Sequence, residues 1–474
     1  MTAKKFLFLY GFIAFMFIGC TTSVMEHPIQ VHPDNWRLFQ NSKGEAIVFT
    51  GSHTWLRDFE NEQWIGNGWN VEKFNKYLDF LEYWNHNYIR LWMWEHPGDS
   101  SALDIWARTD NGKFDLTKVN PEYLKLVKSF VQAADDRGLY VGLMLFQGWS
   151  GACPGGINDW VNHPMYGANN IQGLHADPDS IGYGIKVHSL DIPEVVRYQE
   201  NYINEMVNSL NGFNNLIWET GNETLGSSVP WKAHIIKYIK NLENGLPKQH
   251  LILDGTGNGV SNDDVYRSAP DIYSPCMVTR WANPMDPYID NPPIPADTLG
   301  IPIVLDNDHL GNHFLRFNGL IQRNWAWKSF LRGNHPIHMD CYDIKWDGAD
   351  PTMNHPIPGV NTNPHYDPQR KSLGDIQTFA RQIDLIQTIP TIDSTICSTR
   401  FCMVNPGKEY LAYQPDTLGH INLDLSLGTY NVEYFDSKTS EKVLSTVVSK
   451  GGKKIFNRPA DFKADWILLV KAIQ

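Results

Sequence analysis

The sequence lacks the short motifs that mark the common classes of zinc protein. Its 474 residues include six cysteines but no CxxC pair, and neither HxH nor HExxH occurs. Because structural zinc sites use closely spaced cysteine and histidine pairs, a zinc-stabilised fold is not expected. No internal repeat or low-complexity tract stands out, and a composition of 42% hydrophobic and 19% charged residues is that of an ordinary globular protein.

Positive charge is also scarce. Lys and Arg number 40 against 52 Asp and Glu, which gives a net charge of −12. Nucleic acids and anionic lipids are bound through basic surfaces, so neither is expected as the main partner. Aromatic residues are plentiful by contrast, with 17 Trp and 20 Tyr. Most of them are expected in the core, but flat aromatic faces also suit stacking on sugar rings.

The hydrophobic run at the N-terminus is too short to span a bilayer comfortably. It covers residues 6–19, follows two lysines, and ends in a small residue before Cys20. This pattern is typical of a bacterial lipoprotein signal that is cut before a lipidated Cys20, and a plain secretory signal is the alternative. We predict a signal peptide over 1–19, a linker over 20–34, and a lipid anchor in the outer membrane of the cell envelope.

Residues 45–345 alternate strand-like apolar runs with amphipathic helical patterns. The strand candidates are residues 46–53, 87–95, 139–147, 215–223, 250–255, 271–277, 301–308 and 335–343. Between several of them apolar residues recur at i, i+3, i+4 and i+7, and a closing helix is expected over 374–388. Strands that alternate with helices form parallel βαβ units, so the pattern predicts a (β/α)8 TIM barrel over 35–391.

After about residue 392 the pattern changes to short strands joined by polar turns. It favours a small all-β sandwich over 392–474 as an accessory domain. Within the barrel, long connections rich in Gly, Pro, Asn, Asp and Trp follow the third and sixth strands. Such connections lie at the C-terminal face of a barrel, where active sites are found, so the functional residues are expected there.

Carboxylates end the fourth and seventh predicted strands. Side chains alternate along a strand, so Glu219 and Glu223 are expected to share one face of the fourth. Asp306 and Asp308 likewise share one face of the seventh. The deeper Glu219 is expected to pair with Arg90 of the second strand, because a lone buried charge is costly. Two carboxylates at one mouth are what glycoside hydrolysis requires, one as acid and one as nucleophile or base.

These features resemble the clan A glycoside hydrolase superfamily, and more narrowly an uncharacterised bacterial branch related to apiosidase-like enzymes. The likeness covers most of residues 35–390 and is carried by GNE after the fourth strand and by FTGSHTW, HNYIRLWMWE, VGLMLFQGWS, ANNIQG, DNDHLG and WAWKSFLRGNHPIHMDCYD. The C-terminal part resembles a domain described as collagen-binding in related chains.

The resemblance implies a role for each carboxylate. Glu223 would be the acid/base and Asp308 the nucleophile of a retaining glycosidase that needs no cofactor. Asn222 would bind the sugar 2-hydroxyl. Most of the clan has Glu on the seventh strand, whereas this chain has Asp, whose shorter side chain widens the gap and leaves Asp306 as an alternative nucleophile.

Further residues near strand ends are candidate substrate contacts. They are Arg90, His53, Trp55, Trp92, Glu95, Gln147, Trp149, Tyr273, His309, Asp340 and Tyr342. For Arg90 an ion pair is favoured over a sugar contact, and for His53 a buried hydrogen bond is the alternative. Tyr273 is expected to orient the nucleophile, and the two residues of the eighth strand to line the opposite wall.

The sequence therefore predicts an exported glycoside hydrolase whose partner is a plant, algal or host oligo- or polysaccharide. Two alternatives from other classes stay open. One is a surface glycan-binding barrel without turnover. The other is a metal-dependent hydrolase using Asp306, Asp308 and His309, which is less favoured because the two aspartates lie at different depths of one strand.

Overall fold

The structure is a computed structural model that describes most of the chain. The described residues are 27–54, 71–92, 103–148, 160–255, 267–275, 292–293, 300–307, 319–340, 342 and 366–473. The predicted signal segment and Cys20 lie outside these ranges. Within them, no helix combines the length and the apolar character that a membrane span requires.

A sheet of eight parallel strands forms the centre of the molecule, and each of the eight predicted strands overlaps one of them. The first prediction, 46–53, also included Ala46–Ile47, which belongs to a separate sheet. The strands are β1 Gly51–Thr54, β2 Tyr88–Trp92, β3 Tyr140–Gln147, β4 Leu216–Asn222, β5 Ile252–Gly255, β6 Ile272–Ser274, β7 Val304–Asn307 and β8 His335–Asp340. Their order in the sheet is β6-β5-β4-β3-β2-β1-β8-β7. An isolated parallel bridge between Tyr273 and Ile303 joins the two edge strands, so the sheet curls into the predicted barrel.

The helices that follow the strands cover the outside of the barrel. In the described ranges they are α1 Val71–Tyr83, α2 Pro121–Asp135, α3 Pro193–Leu210, α4 Val229–Glu243, α5 Leu320–Leu331 and α6 Asp367–Ala380. The closing helix α6 lies earlier than the predicted 374–388. Pro368 fits its first turn, and Asp384 accepts hydrogen bonds from the N–H groups of Ile386 and Gln387, which holds a turn where helix was expected.

A small antiparallel sheet closes the N-terminal end of the barrel. Its strands are Gln30–Val31, Phe39–Gln40 and Ala46–Ile47. The rings of Phe39 and Phe49 stack with centroids 4.3 Å apart, and Phe49 lies two residues before β1. Ile29, in the predicted linker, packs in the same apolar cluster. The barrel floor is therefore sealed by side chains from the segment that precedes it.

The C-terminal region is all-β, as predicted. Its six antiparallel strands are β9 Ile389–Thr391, β10 Cys402–Asn405, β11 Glu409–Gln414, β12 His420–Asp436, β13 Lys442–Asn457 and β14 Trp466–Ala472. One face of the sheet packs on α5, where the rings of Trp327 and Tyr413 stack at 6.3 Å. Arg323 of α5 donates from Nη2 to Asp465 Oδ1 at 2.7 Å. Helix α5 is thus buried between the barrel and this sheet.

Candidate active site

The inward side chains in the lower half of the barrel are apolar. Six strands contribute one residue each to this floor, namely Tyr88, Ile217, Leu253, Ile272, Val304 and Ile337. Because alternate residues of a strand face the same side, the next inward positions on β4 and β7 are Glu219 and Asp306. Charged groups therefore begin one layer above the floor, towards the C-terminal face of the barrel.

The guanidinium of Arg90, on β2, joins three side chains inside the barrel. Its Nε donates to Glu219 Oε2 at 2.8 Å, and its Nη2 donates to Glu219 Oε1. Its Nη1 donates to Asp306 Oδ2 at 2.6 Å, and its Nη2 reaches Asn222 Oδ1 at 3.2 Å. The predicted pair of Arg90 and Glu219 is confirmed, and the same cation also binds a side chain of β7.

Asp306 has a second donor besides Arg90. His53 Nδ1, on β1, lies 3.0 Å from the Oδ2 atom that the guanidinium also binds. Burial alone would raise the pKa of Asp306, but the charges and hydrogen bonds of His53 and Arg90 outweigh it and lower the pKa below its usual value. Asp306 is therefore ionised at neutral pH, with one oxygen shared between two donors.

Arg90 also fixes the orientation of the Asn222 amide. A guanidinium only donates, so Oδ1 of Asn222 must face it and Nδ2 must point away. Nδ2 is buried and has no acceptor in the part of the chain that the structure describes. A buried donor without an acceptor is destabilising, so this N–H group is suited to binding a water molecule or a ligand hydroxyl.

Glu223 directly follows β4 in an unusual backbone conformation. Its φ is 47°, in the left-handed region that residues other than glycine rarely adopt and that recurs at functional sites. Gly148, after β3, packs against this turn, because a Cβ at position 148 would lie 2.7 Å from the Glu223 carbonyl oxygen. The alternation of side chains along β4 therefore ends at Asn222 and does not extend to Glu223. Glu223 is partly buried, and its two neighbours in the chain are buried.

A family model described as Cellulase (glycosyl hydrolase family 5) matches residues 41–298, more than half of the chain. The chain belongs to glycosyl hydrolase family 5. Arg90, Glu219, Asn222 and Glu223 all lie in the matched part. Asp306 and Asp308 follow it.

Two solved structures resemble this family 5 chain over nearly its whole length. A glycoside hydrolase family 5 protein from Bacteroides vulgatus has a TM-score of 0.59 at 13% identity, covering 94% of this chain and 93% of its own. A candidate glycoside hydrolase from the same organism has a TM-score of 0.61 at 14% identity, covering 95% and 83%. At such identities the likeness concerns the fold alone. No curated protein matches the sequence.

Tyr273 of the family 5 barrel lies on the outer side of β6. Its neighbour Ile272 belongs to the inward floor, whereas Tyr273 packs with Ile303 and Leu305 in the cluster that includes α5. Successive residues of a strand face opposite sides, so the two cannot both point inward. The expectation that Tyr273 orients the nucleophile from within the barrel is therefore corrected.

Asp340 and Tyr342 also lie outside the barrel interior. Ile337 faces inward, so Asp340 faces the helices, where Arg370 of α6 donates from Nε to its Oδ2 at 2.8 Å. Tyr342 packs beside Tyr77 and Phe80 of α1, with ring centroids 4.9 and 5.0 Å away. The expectation that these residues line the wall of the site is corrected. It required Asp340 to face the inside of the barrel, but on β8 the residues that face inward are those that alternate with Asp340.

Several predicted site residues lie outside the described ranges. They are Asp308, His309, Trp55, Glu95 and Trp149. Trp92 and Gln147 are the last residues of β2 and β3, and the roles predicted for their side chains stay predictions. The residues that the structure does bring together are His53, Arg90, Asn222 and Asp306, with Glu219, which was expected only as the partner of Arg90.

The contact between His53 and Asp306 is one that the sequence analysis missed. The two residues come from β1 and β7, which are separated by β8 in the sheet, so no local pattern pairs them. The sequence could have indicated the contact through strand alternation, which places both residues on the inward face at the same end of their strands. Curvature of the barrel then brings their side chains within hydrogen-bonding distance.

The metal hypothesis gains no support from Asp306. Its Oδ2 is already bound by Arg90 and His53, which compete with a cation for that oxygen. In the described residues, no group of three or more His, Cys, Asp and Glu side chains is arranged to hold a metal ion. The other two residues of the hypothesis, Asp308 and His309, lie outside those residues.

Proposed function

We propose that this chain hydrolyses O-glycosidic bonds of a plant, algal or host glycan, with Glu223 as acid/base and Asp308 as nucleophile. Membership of family 5 supports glycan hydrolysis as the reaction class. Glu223 protonates the leaving oxygen while Asp308 attacks the anomeric carbon, and water then releases the sugar with Glu223 as base.

From the motif likeness, we also propose that the chain belongs to the apiosidase-like branch. By the same likeness, we propose that the C-terminal sheet is related to the collagen-binding-like domain.

The arrangement at the end of β4 carries the proposal. Glu223 is next to Asn222. Arg90 donates to the amide oxygen of Asn222, and the amide nitrogen has no acceptor among the described residues. A carboxyl group beside an oriented amide donor suits a sugar, because the amide binds a ring hydroxyl while the carboxyl group serves the glycosidic oxygen. The left-handed backbone at Glu223 is the kind of local strain that recurs at catalytic residues.

Asp308 is preferred to Asp306 as the nucleophile. One oxygen of Asp306 already accepts from Arg90 and His53, and the side chain is 7% exposed. A nucleophile needs a lone pair directed at the anomeric carbon, and a carboxylate stabilised by two donors is a weaker one. Asp308 follows Asp306 by two residues in the sequence, so strand alternation predicts the same phase for it and a position closer to the mouth of the barrel.

We expect hydrolysis with retention of configuration. A nucleophilic Asp308 requires the two carboxyl groups to lie about 5–5.5 Å apart, whereas an inverting pair is separated by roughly 6.5–9.5 Å. Screening an oligosaccharide panel, followed by ¹H NMR of the first product in D2O, checks both points. The anomer formed before mutarotation should have the configuration of the substrate. An inverted first product would make Asp308 a general base that activates water.

We also propose that the protein is exported and lipid-anchored through Cys20. Expressed at full length in a bacterium that processes lipoproteins, the wild type should incorporate a clickable palmitate analogue, and Cys20→Ser should abolish the label. Cys276→Ser serves as the matched control and should keep it. An unlabelled wild type whose mature N-terminus lies elsewhere would indicate a plain secretory signal instead.

A further inference from the structure

We propose that Gly148 is a positioning residue that sets the place of the acid/base Glu223. The inference rests on the proposed function, in which Glu223 is the proton donor. Gly148 directly follows β3 and Glu223 directly follows β4, so the two residues lie beyond the ends of neighbouring strands. Their backbones meet at the C-terminal face of the barrel, where the active sites of this fold are found.

The turn at Glu223 comes closer to Gly148 than a side chain at position 148 would allow. A Cβ there would lie 2.7 Å from the carbonyl oxygen of Glu223 and 3.0 Å from the Cα of Thr224. Ordinary van der Waals contacts of a Cβ begin at 3.4 Å. A methyl group at position 148 therefore requires the backbone of one of the two segments to move.

The backbone of Gly148 does not itself require glycine. Its φ lies outside the left-handed region, whereas Glu223 has a φ of 47°. Alanine can adopt the conformation of Gly148 without strain, and the closest atoms that its Cβ would meet belong to Glu223 and Thr224. Glycine at this position therefore serves the close approach of two backbones.

The residues on both sides of Glu223 are held in place, so the displacement falls on Glu223 itself. The carbonyl oxygen of Asn222 accepts from the N–H group of Gly148 at 2.8 Å, and its side-chain oxygen accepts from Arg90. Thr224 is fully buried. To lengthen the contact from 2.7 Å to an ordinary 3.4 Å, the peptide group of Glu223 must shift or rotate by several tenths of an ångström.

Proton donation is sensitive to a displacement of this size. A general acid acts at hydrogen-bond distance from the leaving oxygen, about 2.6–3.2 Å. A misplacement of about 1 Å costs on the order of 10²-fold in rate. We therefore expect Gly148→Ala to impair protonation of the leaving group while the carboxyl group of Glu223 is still present.

The test compares aryl glycosides of the sugar that the oligosaccharide screen identifies, with 2,4-dinitrophenol, 4-nitrophenol or phenol as the leaving group. As the C–O bond breaks, phenol takes a proton from the acid, whereas dinitrophenolate departs as the anion. Gly148→Ala should lower kcat/KM for the phenyl glycoside by about 10–10²-fold and that for the dinitrophenyl glycoside much less. The ratio of the two values does not depend on the fraction of folded enzyme, so it also holds for a variant that folds poorly.

The same substitution in Glu223→Gln shows whether Gly148 acts through Glu223. Gln has no acidic proton to deliver, so adding Gly148→Ala should change kcat/KM for the phenyl glycoside little. Equal losses on all three glycosides, equal losses in both backgrounds, or no loss at all would overturn the inference and leave the role of Glu223 intact. If Glu223→Gln itself lost kcat/KM equally on all three glycosides, or the wild type hydrolysed none, the proposed function would fail and the inference with it.

Gly374→Ala is the matched control. A Cβ at Gly374, in α6, would lie 2.0 Å from the carbonyl oxygen of Trp84, just before β2 and at the opposite end of the barrel. This variant should lower Tm and leave the ratio of the two kcat/KM values unchanged. A ratio that changed as much as in Gly148→Ala would mean that it responds to any loosening of the barrel, which would also overturn the inference.

Discussion

Replacing Glu223 by Gln should lower kcat on an oligosaccharide by about 10²–10⁴-fold. Gln keeps the size and polarity of the side chain but has no acidic proton for the leaving oxygen. The loss on a 2,4-dinitrophenyl glycoside should be much smaller in the glycosylation step, because dinitrophenolate departs without protonation. Pre-steady-state release of dinitrophenolate, measured beside oligosaccharide hydrolysis, separates proton donation from every other effect of the substitution.

The matched control is Glu205→Gln, on the exposed side of α3, which should change neither rate. Equal losses of Glu223→Gln on both substrates would argue that Glu223 binds or supports the site rather than donates a proton. Glycan binding by a wild type that hydrolyses no member of the panel would favour the surface glycan-binding alternative. Binding that survives Glu223→Gln while turnover is lost would support the enzyme.

The barrel was predictable from the sequence because its two periodicities are both strong. Buried parallel strands give short continuous apolar runs, and the helices between them repeat apolar residues at helical spacing. The pairing of Arg90 with Glu219 followed from the same pattern, since both positions face inward and a lone charge there is unstable. The pattern at Glu223 was less informative, because the left-handed turn after Asn222 ends the alternation.

The errors at Tyr273 and Asp340 share one physical cause. The rule of alternation gives the spacing between residues on one face but not which face is inward. On β6 and β8 both faces are buried, one by the barrel interior and one by helices, so hydrophobicity does not distinguish them. Only the packing of Ile272 and Ile337 into the floor determines the phase. Asp340 is then directed at Arg370, 30 residues away in sequence.

That outward pair leads to the largest expected change in stability. Replacing Arg370 by Met should lower the free energy of unfolding by about 3–5 kcal/mol at neutral pH, because it leaves Asp340 as a buried charge that has lost its main partner. Both side chains of the pair are fully buried, and Arg370 binds both oxygens of Asp340. The midpoint of thermal unfolding, measured by calorimetry, should fall accordingly.

The pH dependence identifies the charge of Asp340 as the cause. In the wild type, burial raises the pKa of Asp340, but the charge and hydrogen bonds of Arg370, with those of His338, lower it far below the usual range. The pair therefore stabilises the fold above about pH 4, and this contribution is lost as pH falls through the lowered pKa. In Arg370→Met, burial should raise the pKa of Asp340 above its unfolded value, so lowering the pH should protonate it and narrow the difference in Tm.

A double variant separates charge from packing. Asp340→Leu combined with Arg370→Met removes both charges at similar volume, and it should recover most of the stability that the single variant loses. The difference in Tm between the double variant and the wild type should also change little between pH 7 and pH 4. The same difference for Arg370→Met should change more. A double variant as unstable as Arg370→Met would mean that the lost packing of Arg370 on Phe80, 4.9 Å from its ring centre, is the main cause.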